Sequence, residues 1–169
     1  MDVFIEQLVT KASSVKDTAL KLLLGFGSVL ISIALFILLG MLLGMFAVAV
    51  LLSAGCLYGA FYLISNFDVE YEYIVTNGEI DIDKVVAKRK RKRLLSAKVS
   101  SFKDFGRYSS SPDTNTTTTF AAGSGLIEEE FYADFTHPKY GEVRLIFSPN
   151  ERVLAAIKPY LPHTIRETF

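Results

Sequence analysis

Polar and apolar positions divide the chain into three regimes. From Leu22 to Ser65, 44 consecutive residues contain no Asp, Glu, Lys, Arg, His, Asn, Gln or Pro; 34 are apolar, six are Gly and four are Ser. A helix crossing about 30 Å of hydrocarbon needs about 20 residues, so this run predicts a transmembrane helical hairpin, at about 22–41 and 44–65. Gly40 and Gly44 bracket the expected turn. Ser28-x-x-x-Ser32 and Gly55-x-x-x-Gly59 are small-residue pairs of the kind that let helices approach closely. An antiparallel hairpin centred between Leu43 and Gly44 sets Ser28 against Gly59 and Ser32 against Gly55. Ahead of the run, Phe4, Leu8, Val15 and Ala19, with Ile5, Val9 and Ala12 beside them, follow a 3.6-residue period. They predict an amphipathic helix over residues 1–21.

After the run the period changes. Val69, Tyr71, Tyr73 and Val75 fall on one face of an alternating run, Asn77-Gly78 follows, and Ile80 and Ile82 alternate again with acids. Two alternating runs about Asn-Gly predict a β-hairpin. Leu94–Phe105 predicts a further strand and its continuation. Residues 109–125, rich in Ser, Thr and Gly, predict a mobile loop. Phe131–Thr136 and Glu142–Phe147 predict a second hairpin about His137-Pro138-Lys139-Tyr140-Gly141. Ser148, Pro149 and Glu151 have the spacing of a capping box and open a C-terminal helix with Val153, Leu154, Ile157 and Leu161 on its apolar face. Pro159 should bend or end it. The expected architecture is an α+β membrane protein: the hairpin, then a cytosolic domain over residues 66–169 built as a bent sheet or split barrel closed by a C-terminal helix.

Charge sharpens this picture. The chain has 18 basic and 18 acidic residues, but residues 66–83 carry six acids and no base, while residues 84–93 carry seven bases and no acid. Lys11, Lys16 and Lys21 precede the apolar run and Lys84 with Lys88–Arg93 follow it, so the positive-inside bias places both termini in the cytoplasm of a two-span cell-membrane protein. Tyr58 and Tyr62 near the second exit suit an interfacial aromatic belt. Alternating side chains cannot bury either face of Lys88-Arg89-Lys90-Arg91-Lys92-Arg93, so the run must protrude. It is the candidate site for anionic lipid headgroups.

The segment Tyr71–Lys84 running into Lys88–Arg93, and the opening Met1–Val9, resemble a family of uncharacterised two-span membrane proteins of Gram-positive bacteria, a domain of unknown function. The layout also resembles bacterial membrane-tethered pleckstrin-homology-like (PH-like) domains. The resemblance implies a location and a fold, and no catalytic residue.

Nothing in the residues points to a reaction. The single Cys56 excludes an intrachain disulfide or Cys-based zinc site. His137 and His163 are too few for a metal cluster, and neither a phosphate-binding Gly loop nor a His-Glu-x-x-His helix occurs. Glu128-Glu129-Glu130 with Asp134 reads as a solvated strand start, and Asp104-Phe105-Gly106 lacks every other kinase signature. No catalytic residue, cofactor, metal or nucleic-acid partner is expected. The expected function is a non-enzymatic, membrane-anchored interaction module that binds a protein segment, the anionic membrane surface, or both. The alternative is a homo-oligomerising assembly or regulatory subunit packed through Ser28, Ser32, Gly55 and Gly59.

Overall fold

The computed structural model describes residues 3–108 and 118–167. Residues 109–117, the greater part of the Ser/Thr stretch, lie outside it. The chain forms two units, one of residues Met1–Ala12 with Val69–Phe169, the other of Ser13–Asp68.

In the first unit, β1 (Phe4–Thr10), β2 (Val69–Thr76), β3 (Glu79–Val86) and β4 (Lys90–Lys98) make an antiparallel sheet in that order. β5 (Phe102–Arg107), β6 (Thr118–Ala121), β7 (Phe131–His137) and β8 (Gly141–Phe147) make a second sheet, ordered β5-β7-β8-β6 with β6 parallel to β8. Asn77 and Gly78 both take positive φ, 46° and 84°, as a tight two-residue turn demands. Their strands pair in register from Thr76↔Glu79 to Val69↔Val86. At Gly78 a Cβ would meet the Tyr160 ring at 2.5 Å, so glycine there serves packing as well as conformation.

Tyr73, Val75, Ile80, Ile82 and Leu95 point from the first sheet into one core with Phe102, Phe105, Phe131, Phe135 and Phe147 from the second. Phe102 and Phe135 stack with centroids 5.4 Å apart, and Phe105 and Phe131 at 5.8 Å. Each buried aromatic contributes about 1.5–3 kcal/mol of transfer free energy. α3 (Glu151–Ile157), a 3-10 turn (Lys158–Tyr160) and α4 (His163–Arg166) close the core with Val153, Ile157, Leu161 and Ile165.

Four expectations are corrected here. Residues 4–10 are a strand, not the start of an amphipathic helix. Seven residues satisfy either period by chance, and pairing along Phe4↔Thr76 to Thr10↔Glu70 decides for β. The β unit is therefore not a segment that follows the helices; the helices are inserted between its first two strands. Residues 118–121 are not loop but strand β6, paired with β8, and in the irregular segment that follows Ala122 and Ser124 are buried. The cap of α3 is Asn150, whose Oδ1 accepts from Val153 N–H at 2.9 Å. Ser148 is instead buried, its N–H donating to Tyr73 Oη and its hydroxyl to Ser124 Oγ, both at 3.1 Å.

In the second unit α1 (Val15–Leu35) continues as a π-helical segment (Phe36–Leu42), and α2 (Phe46–Ser65) returns antiparallel. Asp17 accepts from Ser14 N–H at 3.3 Å at the start of α1. Gly44, at φ 69°, makes the turn. Gly40 lies inside the helix, where a Cβ would be 3.3 Å from Phe46. The seam differs from the expected register. Ser32 Oγ donates to Ser53 O at 3.2 Å and Ser53 Oγ to Ser32 O at 2.9 Å. Cys56 Sγ lies 3.9 Å from Ser28 O. Ser28 and Ser32 are thus at the seam, but Gly55 and Gly59 are not: a Cβ at either would meet nothing within 4 Å. The wider π-helical turns rotate the residues around the loop, and reciprocal hydroxyl–carbonyl bonds select the final register.

Ser53→Leu and Gly55→Leu separate the two registers. In detergent-solubilised protein the first should destabilise the helical pair by about 1–3 kcal/mol through overpacking, the second by less than about 0.5 kcal/mol. Denaturant titration followed by helical circular dichroism measures both, and the reverse ranking would reject the observed seam.

Candidate functional site

Antiparallel register gathers four chain ends at one end of the first sheet. Thr10 pairs with Glu70, Val69 with Val86, and Val86 with Lys90. Through this end the chain leaves β1 towards α1 and returns from α2 into β2. Lys11 N–H donates to Val69 O at 3.0 Å and ties the two crossings together. The turn between β3 and β4 is at the same end, with Ala87 and Lys88 at φ 54° and 53°.

The basic run projects there, exposed from Lys88 to Arg93, as its alternating charge requires. Its faces are not equivalent. On the outer face Arg91 Nη2 is 2.7 Å from Glu72 Oε1, and Arg93 lies 2.6 Å from Asp83 and 2.9 Å from Asp81. Lys88 approaches Glu70 at 3.9 Å. On the opposite face Lys92 stands directly across from Lys84, and Lys90 across from Val86. Lys84, Lys90 and Lys92 form no ion pair among the described residues. Like charges directly opposite one another destabilise a sheet, so this arrangement costs stability unless an external anion satisfies it.

The acids beneath the paired arginines are themselves perturbed. Glu72 is only 1% exposed. Burial, then a hydrogen bond with Glu6, raise its pKa against the opposing pull of Arg91. The Asp83 hydrogen bond raises the pKa of Arg93. The acid-rich segment of residues 66–83 and the base-rich segment that follows therefore neutralise one another on one face and leave the other face cationic.

The remaining sequence candidates do not converge. Glu128 and Glu129 are exposed, but Glu130 and Asp134 are buried, which corrects the solvated-strand expectation. Glu130 Oε1 accepts from Gly125 N–H at 3.0 Å, and Asp134 forms a bidentate pair with Arg144 at 2.7 and 2.6 Å. Arg144 stacks 4.9 Å from the Tyr132 ring centroid, and Tyr132 Oη donates to Asp104 at 3.0 Å. Burial and Asp104 push the Tyr132 phenol up to about 12. These contacts join residues from β5, β7 and β8 that no local pattern connects. His137 Nδ1 accepts from Lys139 N–H at 3.1 Å within its turn, and His163 lies 3.2 Å from Glu167. Among the described residues no group of three metal-ligating side chains converges.

A second surface follows β5, which hydrogen-bonds along one edge to β7. A groove of about 780 Å³ borders this strand, lined by Lys103, Asp104, Arg107, Tyr132, Leu154 and Ile165. Only the tertiary arrangement reveals it.

Two sheets around one aromatic core, closed by a C-terminal helix, are consistent with a PH-like fold, a class of binding module. The family model described as Bacterial PH-like domain (DUF6106) matches residues 1–167, so the chain belongs to that family of unknown function. No curated protein and no solved structure matches the chain.

The raised pKa of Glu72 has a definite sign. Its stabilising contribution is complete below the ordinary carboxylate pKa and disappears as pH rises through the raised value. Thermal melts of Glu72→Gln and the unsubstituted protein across pH 4–7 should show the variant gaining relative stability towards pH 7. A constant difference across that range would contradict the perturbed carboxyl.

Proposed function

We propose that the chain is a membrane-anchored interaction module. α1 and α2 span the bilayer, both connections to the β unit lie on the cytoplasmic side, and the β3–β4 turn binds anionic headgroups. Two helices are long and apolar enough to span, Val15–Leu42 and Phe46–Ser65. The single observation carrying the lipid reading is the register that sets the basic turn at the sheet end through which the chain enters and leaves the helices. Ser65 ends the apolar run and Val69 begins β2, so at most about 14 Å of extended chain lies between them. That tether supports contact between the turn and the headgroup layer.

The residues assigned to lipid are Lys88, Arg89, Lys90 and Lys92 of the original run, together with Lys84. Arg91 and Arg93 mainly hold the acids of β2 and β3. Near an anionic surface each base contributes about 1 kcal/mol. The β5 groove supports a further role for the same module, in which an extended protein segment adds to the sheet edge.

The assembly reading draws support from Gly27, Gly55 and Gly59, which line an apolar groove of about 490 Å³ on the helical pair. A second copy of the chain could pack there. Crosslinking in native membranes, with and without Gly55→Leu, tests it: defined oligomers lost in the variant favour assembly.

Trypsin sensitivity at Lys88–Arg93 tests the lipid reading in the reconstituted full chain. Cleavage should be at least about five-fold slower in anionic than in zwitterionic bilayers. The difference should vanish near 1 M salt, where the screening length is about 3 Å. Equal rates in the two lipids at low salt would refute lipid binding by the turn.

A further inference from the structure

Large apolar side chains on the β unit that remain exposed include Leu126, at 52%, and Ile127, at 60%. Isolated exposed apolar residues are ordinary. These two are adjacent, they are rigidly displayed, and they lie beside the tether.

Rigidity comes from a buried polar cradle. Gly125 takes φ 88°, and its N–H donates to the buried Glu130 carboxylate at 3.0 Å. Leu126 N–H donates to Ser124 Oγ at 3.2 Å, and Glu129 N–H to Leu126 O at 2.9 Å. Ser124 N–H in turn donates to Ser148 Oγ at 2.9 Å. At Gly123 a Cβ would collide with the Glu130 carboxylate, so the chain there fits only glycine. A turn held by this many bonds yet carrying two exposed aliphatic side chains has not folded to hide them.

Position identifies the partner. Ala12 N–H donates to Ser124 O at 2.7 Å, and the Ala12 Cβ is 3.8 Å from where a Gly125 Cβ would stand. Ala12 is the last residue of the β unit before the helical one, and α1 starts at Val15. The apolar turn is therefore built onto the tether itself. β1 and β4 are the opposite edges of the first sheet. The turn adjoins the β1 crossing, and the basic residues occupy the β4 side of the same end.

We infer that Leu126 and Ile127 form an apolar membrane foot that inserts at the headgroup–acyl boundary. This rests on the anchored reading above and adds a second contact of different chemistry. Glu128 and Glu129 follow directly and are exposed. Carboxylates stay at headgroup level and are repelled by an anionic surface, so this contact depends on apolar insertion and is not weakened by salt.

The test uses the full chain in Cys56→Ser background, reconstituted in bilayers and labelled with an environment-sensitive fluorophore at one introduced cysteine. The quencher is a lipid carrying a nitroxide near the headgroup end of its acyl chain. Leu126→Cys and Ile127→Cys should each be quenched at least about three-fold more than Thr76→Cys, which lies at the other end of the sheet, with little change between low and high salt. Leu51→Cys in α2, probed with a deep quencher, reports whether the helices insert. Quenching at Leu51 with none above the Thr76 level at Leu126 and Ile127 overturns the foot and leaves the anchor standing. A blue shift at Ile127 that grows with protein concentration without lipid quenching indicates a second copy and also overturns it. Absence of quenching at Leu51 removes the anchor and the foot together. Loss of trypsin protection at the basic turn alone leaves the foot intact.

Discussion

Pairing between β1 and β2 is the constraint on which the rest depends. The two strands flank the whole helical pair in sequence, yet they meet residue by residue from Phe4↔Thr76 to Thr10↔Glu70. A loop of that length is costly to close by chain entropy alone. The antiparallel helices shorten it: with Ser32 bonded to Ser53 and Lys21 paired to Asp68 at 2.8 Å, the ends of the insertion are already close. Helix pairing and sheet formation thus lower each other's closure cost.

That arrangement sets the chemistry of the sheet end. Once β1 and β2 are fixed by the insertion, the β2–β3 turn at Asn77-Gly78 must lie at the far end and the β3–β4 turn at the near one. The acid-rich and base-rich segments are then antiparallel neighbours, which pairs Glu72 with Arg91 and Asp83 with Arg93. Lys84 and Lys92 are forced across from each other by the same ladder. The cationic face is a consequence of strand alternation, and it lies at the sheet end through which the chain leaves β1 and enters β2.

The second sheet shows a different economy. Asp134 and Arg144 are both largely buried, a costly placement that their bidentate geometry and the Tyr132 ring offset. Ser148, Tyr73, Ser124 and Glu130 form another satisfied network beside the Ala12 crossing. These buried polar groups give the small domain a defined arrangement around the point where its chain departs, and they display Leu126 and Ile127 rather than letting that turn collapse.

The long uncharged run, the Asn-Gly hairpin, the protruding basic segment and the closing helical region were each legible in the sequence, because each depends on local period, turn chemistry or side-chain solvation. The strand at Phe4–Thr10 was not, since seven residues fit a helical face as well as a strand and only Val69–Thr76 decides between them. Nor were the buried Glu130 and Asp134, whose partners Gly125 and Arg144 become neighbours only when the strands pair. The seam through Ser32 and Ser53 also escaped, because π-helical turns alter the register that ideal helices would keep. Sequence alone determined which segments shun water and which must face it, since those preferences belong to the side chains themselves. Tertiary structure decided which charges are neutralised and which edges stay open, because those outcomes depend on register between segments far apart in the chain.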